Sequence, residues 1–269
     1  MSVTRAVIPA AGLGTRLRPL TVAVPKELLP VGRLPMMQYA VSECVAAGLN
    51  EIVVVVHEQR KRAILEFYNQ VDWRALCGTS PAVESVNVHF VHQERPLGVM
   101  HAILLARARV EGEPFFLLMP DNVVFARQPV LPKLRRCFEE SGGSVLGLIE
   151  VTPETAPFFG NAGRVEAQRL SGETYRVRSL QDKQPGTFEP GPGGRTLRAF
   201  GYSLLTPDFF SLADELGGDA QRGDEVPTLQ ALIRNEQVFG VRVEGALFDC
   251  GHWPGYWAAN RFYWQQWNS

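Results

Sequence analysis

No single sign of charge dominates the 269-residue chain: 27 Lys and Arg stand against 28 Asp and Glu, a formal net charge of −1. Such a chain has no broad basic face for a nucleic acid backbone or an anionic membrane, so neither is expected as a partner. The four cysteines, Cys44, Cys77, Cys137 and Cys250, fall at no metal-ligand spacing and read as reduced core thiols. No apolar run reaches 18 residues. The apolar stretch in the opening MSVTRAVIPAAG is too short for a signal peptide, so a cytoplasmic protein is expected. What these absences leave is a small ligand held by local charge.

The first local charge stands in AAGLGTRLRP, residues 10–19, directly behind the short apolar run Ala6-Val7-Ile8-Pro9. A glycine-rich turn leaving a buried strand lets backbone N–H groups approach a phosphate, and Arg16 and Arg18 add charge. The third glycine of the dinucleotide fingerprint is missing, with Leu17 in its place, and the Gly-Lys-Ser/Thr of a Walker A loop is absent too. Taken alone, the stretch also fits a tight turn with solvated arginines.

Periodicity organises the rest. Residues 5–9 read as a buried strand, and Met36 to Ala47 as a helix with apolar positions Met37, Ala40, Val41, Cys44 and Val45, stopped by Gly48. EIVVVV is apolar at almost every position, the mark of a parallel strand covered on both faces. VNVHFVHQ alternates and reads as a strand, Val99 to Val110 as a helix, and EPFFLLMPD as a buried strand ending at Pro120-Asp121. Repeated strand, loop and helix argue for an α/β fold with a Rossmann-like, doubly wound mixed sheet and ligands at the strands' carboxyl ends. After about residue 147 the texture shifts to shorter pieces, SVLGLIEV, GRVEA and TYRVRSL, with the loop-like GTFEPGPGGR among them. This predicts one domain over 1–269 with a ligand-binding part at 1–146, a smaller β-rich subdomain at 147–205, and a C-terminal part at 206–269. The aromatic-rich WPGYWAANRFYWQQW reads as a docking helix.

Taken in order, PAAGLGTRLRPLT, PKELLPV, YAVSECVAAGLNEIVVV, PLGVMHAI, LMPDN, GDEV and DCGHWPGY resemble the bacterial sugar-nucleotide pyrophosphorylases, from about residue 4 to 262. Within that family the branch resembled is the UTP–glucose-1-phosphate uridylyltransferases. The resemblance implies a nucleotidyltransferase fold, with 1–146 as the nucleotide-binding part beside a sugar-binding subdomain, and transfer of UMP from UTP to glucose 1-phosphate. The nucleophile of such a reaction is already an anion, so the site must align two mutually repelling anions and neutralise the charge between them.

Residue roles follow from the resemblance. Arg16 matches the loop arginine that touches the triphosphate and stabilises the transition state, and Lys26, between two prolines in VPKELLP, matches a lysine near the phosphates. Gly12, Gly14 and Thr15 belong to the nucleotide loop, with Ala10 and Ala11 where the base meets the main chain. Gln93 matches a glutamine that reads a pyrimidine edge, since an amide both donates and accepts. Gly98 lets the nucleoside lie against the backbone. Asp121, after FFLLMP, and Asp249, after GALF, match the pair of strand-end carboxylates that bind Mg²⁺, a hard ion that keeps waters and phosphate oxygens. His101 reads as packing, and His252 is left open.

On the sugar side the family's Glu-Lys-Pro stands here as QDKQP, which assigns Asp182 to sugar hydroxyls and Lys183 to the acceptor phosphate. Gly160 and Gly201 match glycines beside the sugar. The aspartate is one methylene shorter than glutamate, and Gln184 is inserted before Pro185. GDEVPTLQALI keeps Glu225 but carries Pro227-Thr228-Leu229 where the family has Gln-Leu-Thr. These departures touch the sugar more than the reaction. The alternatives are another triphosphate (dTTP, ATP or GTP), a cyclitol phosphate, or a catalytically silent regulatory relative. A glycosyltransferase is disfavoured because PDNVVF lacks the second aspartate of an Asp-x-Asp motif. The expected partners are a nucleoside triphosphate and a sugar 1-phosphate, with a homo-oligomer left open.

Overall fold

The computed structural model describes residues 3–57, 61–72, 76–77, 86–110, 112–191, 193–218, 223–235 and 238–267. In chain order its first half runs β1 (Arg5–Ala10), β2 (Pro30–Val31), β3 (Leu34–Pro35), α1 (Met36–Ala46), β4 (Glu51–His57), α2 (Lys61–Gln70) and β5 (Asn87–Gln93). Then come α3 (Val99–Leu105), α4 (Arg107–Val110), β6 (Phe115–Leu118), β7 (Asn122–Phe125) and α5 (Leu131–Ser141). The second half holds β8 (Val145–Val151), β9 (Val165–Ser171), β10 (Thr174–Leu180), β11 (Thr196–Leu205), α6 (Asp208–Leu216), α7 (Val226–Asn235), β12 (Phe239–Arg242), β13 (Ala246–Asp249) and α8 (Trp253–Phe262).

One nine-stranded mixed sheet, in the order β5-β4-β1-β6-β11-β8-β12-β10-β9, forms the centre. Strands β5, β4, β1 and β6 are parallel, and β11 joins antiparallel to both β6 and β8. The chain steps outward from β1 to β4 and β5, then returns past β1 to β6. The carboxyl ends of β1 and β6 therefore flank a topological switch point, where an open sheet leaves a crevice. The apolar run of β4 has the expected cause: Ile52, Val54 and Val56 pack into one face's core with Met37, Val41 and Cys44, while Val53 and Val55 pack into the other with Met100 and Ile103. The strands between 145 and 205 continue this same sheet.

The helix expected over residues 99–110 is two, because the Ala106 N–H bonds back to Ile103 and the Arg109 N–H to Ala106, three-residue steps that tighten the chain there. No described residue from 181 to 195 is helix or strand, in line with the loop reading, and Pro192 lies outside the described residues. The separate hairpin-like pair β7–β13 is antiparallel, with Asp249 opposite Asn122. The C-terminal helix packs its aromatics beneath it: Phe262 meets Phe125 and Phe248 at ring separations of 5.2 and 5.6 Å. Among the described residues no helix is long and apolar enough to cross a membrane.

Candidate active site

The loop after β1 is shaped by Gly14, whose φ of +62° favours a residue without a side chain and whose absent Cβ would lie 3.1 Å from Thr21 Cγ2. The Thr21 hydroxyl donates to the Gly14 carbonyl at 2.6 Å. The chain then makes a short turn over Thr15–Leu17 that buries Leu17 and leaves Arg16 exposed. Its guanidinium reaches the strand ends on the far side of the crevice: a Cβ on Gly160 would stand 3.4 Å from Arg16 Nη1, and one on Gly251 2.9 Å from Nη2.

Lys26 arrives at the same point. Pro25 is buried and fixes the backbone before it, and the ammonium donates to Asp121 Oδ2 at 2.6 Å. Burial works against both charges. It is outweighed by the mutual attraction, so the Lys26 pKa is raised with the help of Glu27, while Lys26 and then Arg16 hold Asp121 down to about 2.

The two aspartates, 128 positions apart in sequence, are brought together by the β7–β13 ladder. Asp121 immediately precedes β7, Asp249 ends β13, and the Cys250 N–H donates to the Asp121 carbonyl at 2.7 Å. Asp249 accepts from the Gly251 N–H (Oδ1, 3.0 Å) and the Gly160 N–H (Oδ2, 3.2 Å), while Asn122 Nδ2 donates to Asp121 Oδ1 at 3.2 Å. Between the carboxylates stands Gly251, whose missing methyl would lie 2.7 Å from Asp121 Oδ2 and 3.0 Å from Asp249 Oδ1. The absence of a side chain leaves a cradle walled by two acid oxygens. Two carboxylates with room between them fit a small hard cation that completes its shell with phosphate oxygens and water. Among the described residues no three His, Cys, Asp or Glu side chains cluster as an all-protein metal cage.

Arg16, Lys26, Asp121 and Asp249 line a cavity of about 510 Å³ that runs on to Gly160, Lys183, Gln184, Gly201 and Glu225. Gly201 bulges out of β11 at φ +78°, close against Met119 and Asn122. Lys183 Nζ donates to Glu225 Oε2 at 3.1 Å, with Asp224 at 3.8 Å. Asp182 is exposed, accepts from Gln230 Nε2 at 2.8 Å, and is not part of the cavity wall. The carboxylate that does face the cavity on this side is Glu225.

Ala10, Ala11, Gly12, Gly14, Thr15, Gln93 and Gly98 also lie outside that wall, although Val99 lines it. Ala10 and Ala11 are buried at the end of β1, and Gly12 and Thr15 are exposed on the loop. Gln93 ends β5 and is buried, its amide donating to the Gly98 carbonyl (3.0 Å) and to His101 Nδ1 (2.8 Å). Both amide hydrogens are thus engaged, and Oε1 remains as an acceptor. Gly98, at φ +101°, runs so close to Gly223 that a Cβ would sit 2.2 Å from the Gly223 carbonyl oxygen.

Gly251 and Arg198, which lines the same cavity, were given no role by sequence reasoning, and Glu225 was read there only as a retained family position. Arg198 carried a readable signal, a charge inside the otherwise apolar alternation of TLRAFGYSLL.

A model of the nucleotidyl transferase family matches residues 5–266. The chain is 31% identical to UTP–glucose-1-phosphate uridylyltransferase 2 of Staphylococcus saprophyticus, over 94% of this chain and 89% of that one. It is also 31% identical to the UTP–glucose-1-phosphate uridylyltransferase of Bacillus subtilis, over 94% and 88%. Among solved structures, UDP-glucose pyrophosphorylase complexed with UDP-glucose superposes with a TM-score of 0.84 at 26% identity, covering 98% of this chain and all of that one. UTP-bound UGPase from Acinetobacter baumannii gives 0.78 at 26% identity, over 97% and 93%. With the match running nearly end to end and the strand-end site in place, the chain belongs to the nucleotidyl transferase family.

Proposed function

We propose that the protein transfers UMP from UTP to glucose 1-phosphate, releasing pyrophosphate, with Mg²⁺ held by Asp121 and Asp249. The observation that carries this reading is the convergence of Arg16, Lys26, Asp121 and Asp249 around the space that Gly251 leaves open. The relatives named for the same reaction support the substrates.

In this reaction a phosphate oxygen of the sugar phosphate attacks the α-phosphorus of UTP. A new P–O bond forms, and the bond to the bridging oxygen breaks with its electron pair leaving on pyrophosphate. Bound between the two carboxylates, Mg²⁺ would supply positive charge to phosphate oxygens. Arg16 and Lys26 hold the triphosphate and offset the charge that grows on its α-phosphate, already preorganised by the folded loop and by Asp121. Gly12, Gly14 and Thr15 offer the loop backbone to the phosphates. Lys183 presents a point charge to the acceptor phosphate, and Gly160 and Gly201 leave space for the sugar ring beside it. Residues 1–146 form the nucleotide side, 147–205 the sugar side, and 206–269 complete the metal site.

Gln93 gives the base preference. With both amide hydrogens engaged by Gly98 and His101, its free Oε1 accepts the ring N3–H of uracil or thymine, while cytosine carries no hydrogen there. The deciding experiment is a pyrophosphate-release screen of UTP, dTTP, CTP, ATP and GTP against a panel of sugar 1-phosphates with Mg²⁺. The reading predicts turnover with UTP and glucose 1-phosphate and rejection of CTP. No turnover with any pair would return the chain to a silent nucleotide-sugar-binding role.

A further inference from the structure

One cation of the cavity wall has no part in the roles above. Arg198 stands on β11 and lines the cavity, yet is only 4% exposed. Its guanidinium lies over the Phe159 ring at 4.8 Å, and Nη2 reaches Asp249 Oδ2 only at 4.0 Å. Among the described residues Nε and Nη1 have no hydrogen-bond partner at all. Burial pulls the arginine's pKa below its ordinary value, with Asp249 and then Asp121 opposing. A buried charge is costly unless it is paired and hydrogen-bonded, and this one has only the 4.0 Å approach to Asp249 as its ion pair and no hydrogen bond at Nε or Nη1.

The room for a partner is the cavity of about 510 Å³ that Arg198 lines, since beside it Gly163 packs so close that a Cβ would lie 2.5 Å from the Ala199 carbonyl oxygen and 3.4 Å from Arg198 Cγ. A neutral hydroxyl would not offset a desolvated guanidinium, whereas an anion does, through charge-assisted hydrogen bonds. The triphosphate already has Arg16 and Lys26 on the β1 side of the crevice. Arg198 rises from the other wall, the one that holds Gly160, Gly201 and Lys183. We propose that Arg198 is a second cation for the phosphate of the acceptor, gripping it together with Lys183. The proposal rests on the sugar 1-phosphate reading and deepens it. It makes the acceptor phosphate the group that completes a buried charge otherwise paired only with Asp249 at 4.0 Å.

The test compares wild type with Arg198→Met, which keeps the volume, and Arg198→Lys, which keeps a point charge. The KM for glucose 1-phosphate should rise by about tenfold to a hundredfold in Arg198→Met, the loss expected for a charged hydrogen bond, and less in Arg198→Lys. The KM for UTP should stay within about threefold of wild type, the range expected for a residue that makes no contact with the triphosphate. Equal rises in both KM values, or a changed Mg²⁺ requirement with an unchanged acceptor KM, would show that Arg198 serves only Asp249 and overturn the proposal. A second measurement needs neither turnover nor a folded Met variant: the ¹⁵Nε resonance of Arg198 in the wild-type protein, assigned through Arg198→Lys. Addition of glucose 1-phosphate or inorganic phosphate should shift it, and addition of glucose should not. A resonance indifferent to all three would sink the proposal even where the release assay succeeds. A phosphate-induced shift without any pyrophosphate release would instead leave the anion site standing and remove the reaction.

Discussion

Replacing Gly251 by alanine places one methyl group where the proposed cation would sit. The methyl carbon would stand 2.7 Å from Asp121 Oδ2, 2.9 Å from Arg16 Nη2 and 3.0 Å from Asp249 Oδ1, against an ordinary contact of 3.4 Å or more. Asp121 would have to retreat by the difference, about 0.7 Å, and Asp249 by about 0.4 Å. Neither is free to do so, because Asp121 is tied to Lys26 at 2.6 Å and Asp249 to the Gly160 and Gly251 N–H groups. Overpacking of this size costs on the order of 1–3 kcal/mol of stability. A displacement approaching 1 Å among reacting groups costs on the order of a hundredfold in rate. Gly160→Ala is the internal control, since its methyl meets Asp249 and Arg16 only at 3.3 and 3.4 Å. It should lose less than about tenfold, because a few tenths of an ångström can be absorbed. Pyrophosphate release with a Mg²⁺ titration, alongside thermal unfolding, separates the two costs. A folded Gly251→Ala enzyme with a turnover and Mg²⁺ dependence like wild type, or one less impaired than Gly160→Ala, would refute the cradle.

Arg16→Ala should lower kcat/KM by about 2–4 kcal/mol of transition-state stabilisation while leaving the melting temperature nearly unchanged, because the side chain is exposed and its turn is anchored by Leu17 and by the Thr21–Gly14 hydrogen bond; unaltered kinetics would reduce the loop to a plain turn. Glu225→Gln should change the ranking of glucose 1-phosphate against its epimers more than Asp182→Ala does, since Glu225 lines the cavity and Asp182 is held outside it by Gln230; the opposite order in kcat/KM would return the hydroxyl contacts to Asp182. Stability should fall in acid through the Lys26–Asp121 pair. Asp121 is held at about 2 against an ordinary 3.8, so its contribution is full above about pH 4 and is lost as pH falls toward 2, at most about 2 kcal/mol. Chemical denaturation of wild type and Asp121→Asn between pH 2 and 5 reads this directly, and identical pH slopes would exclude it.

The β1 loop, the doubly covered strand β4 and the strand-end position of Asp121 were legible because each follows from short-range pattern: glycine beside arginine, an unbroken β-branched run, an acid behind FFLL. The meeting of Asp121 with Asp249 was not, since no local rule pairs VVF with ALF across 120 residues. Only the resemblance joined them, and the β7–β13 ladder supplies the physical cause. The strands after residue 145 read as a separate texture because their apolar alternation is weaker. Exposed positions in the edge strand β9 and half-buried ones in its neighbour β10 explain that, while β8 and β11 run through the centre of the common sheet.

The sugar side shows where such reasoning stops. Asp182 and Lys183 are adjacent in sequence on the loop that follows β10, yet only Lys183 lines the cavity. Lys183 takes the inner position and finds its carboxylate in Glu225, at the start of α7 and 42 residues on. Asp182 takes the outer one and finds Gln230, one turn further along the same helix. The segment from Glu225 through α7 thereby sorts the two charges, giving this side of the cavity a Lys183–Glu225 pair that a bound sugar phosphate would have to share. Acceptor binding should therefore draw on that ion pair, and Arg198, on the same wall as Lys183 and paired only with Asp249 at 4.0 Å, is placed to offset the loss.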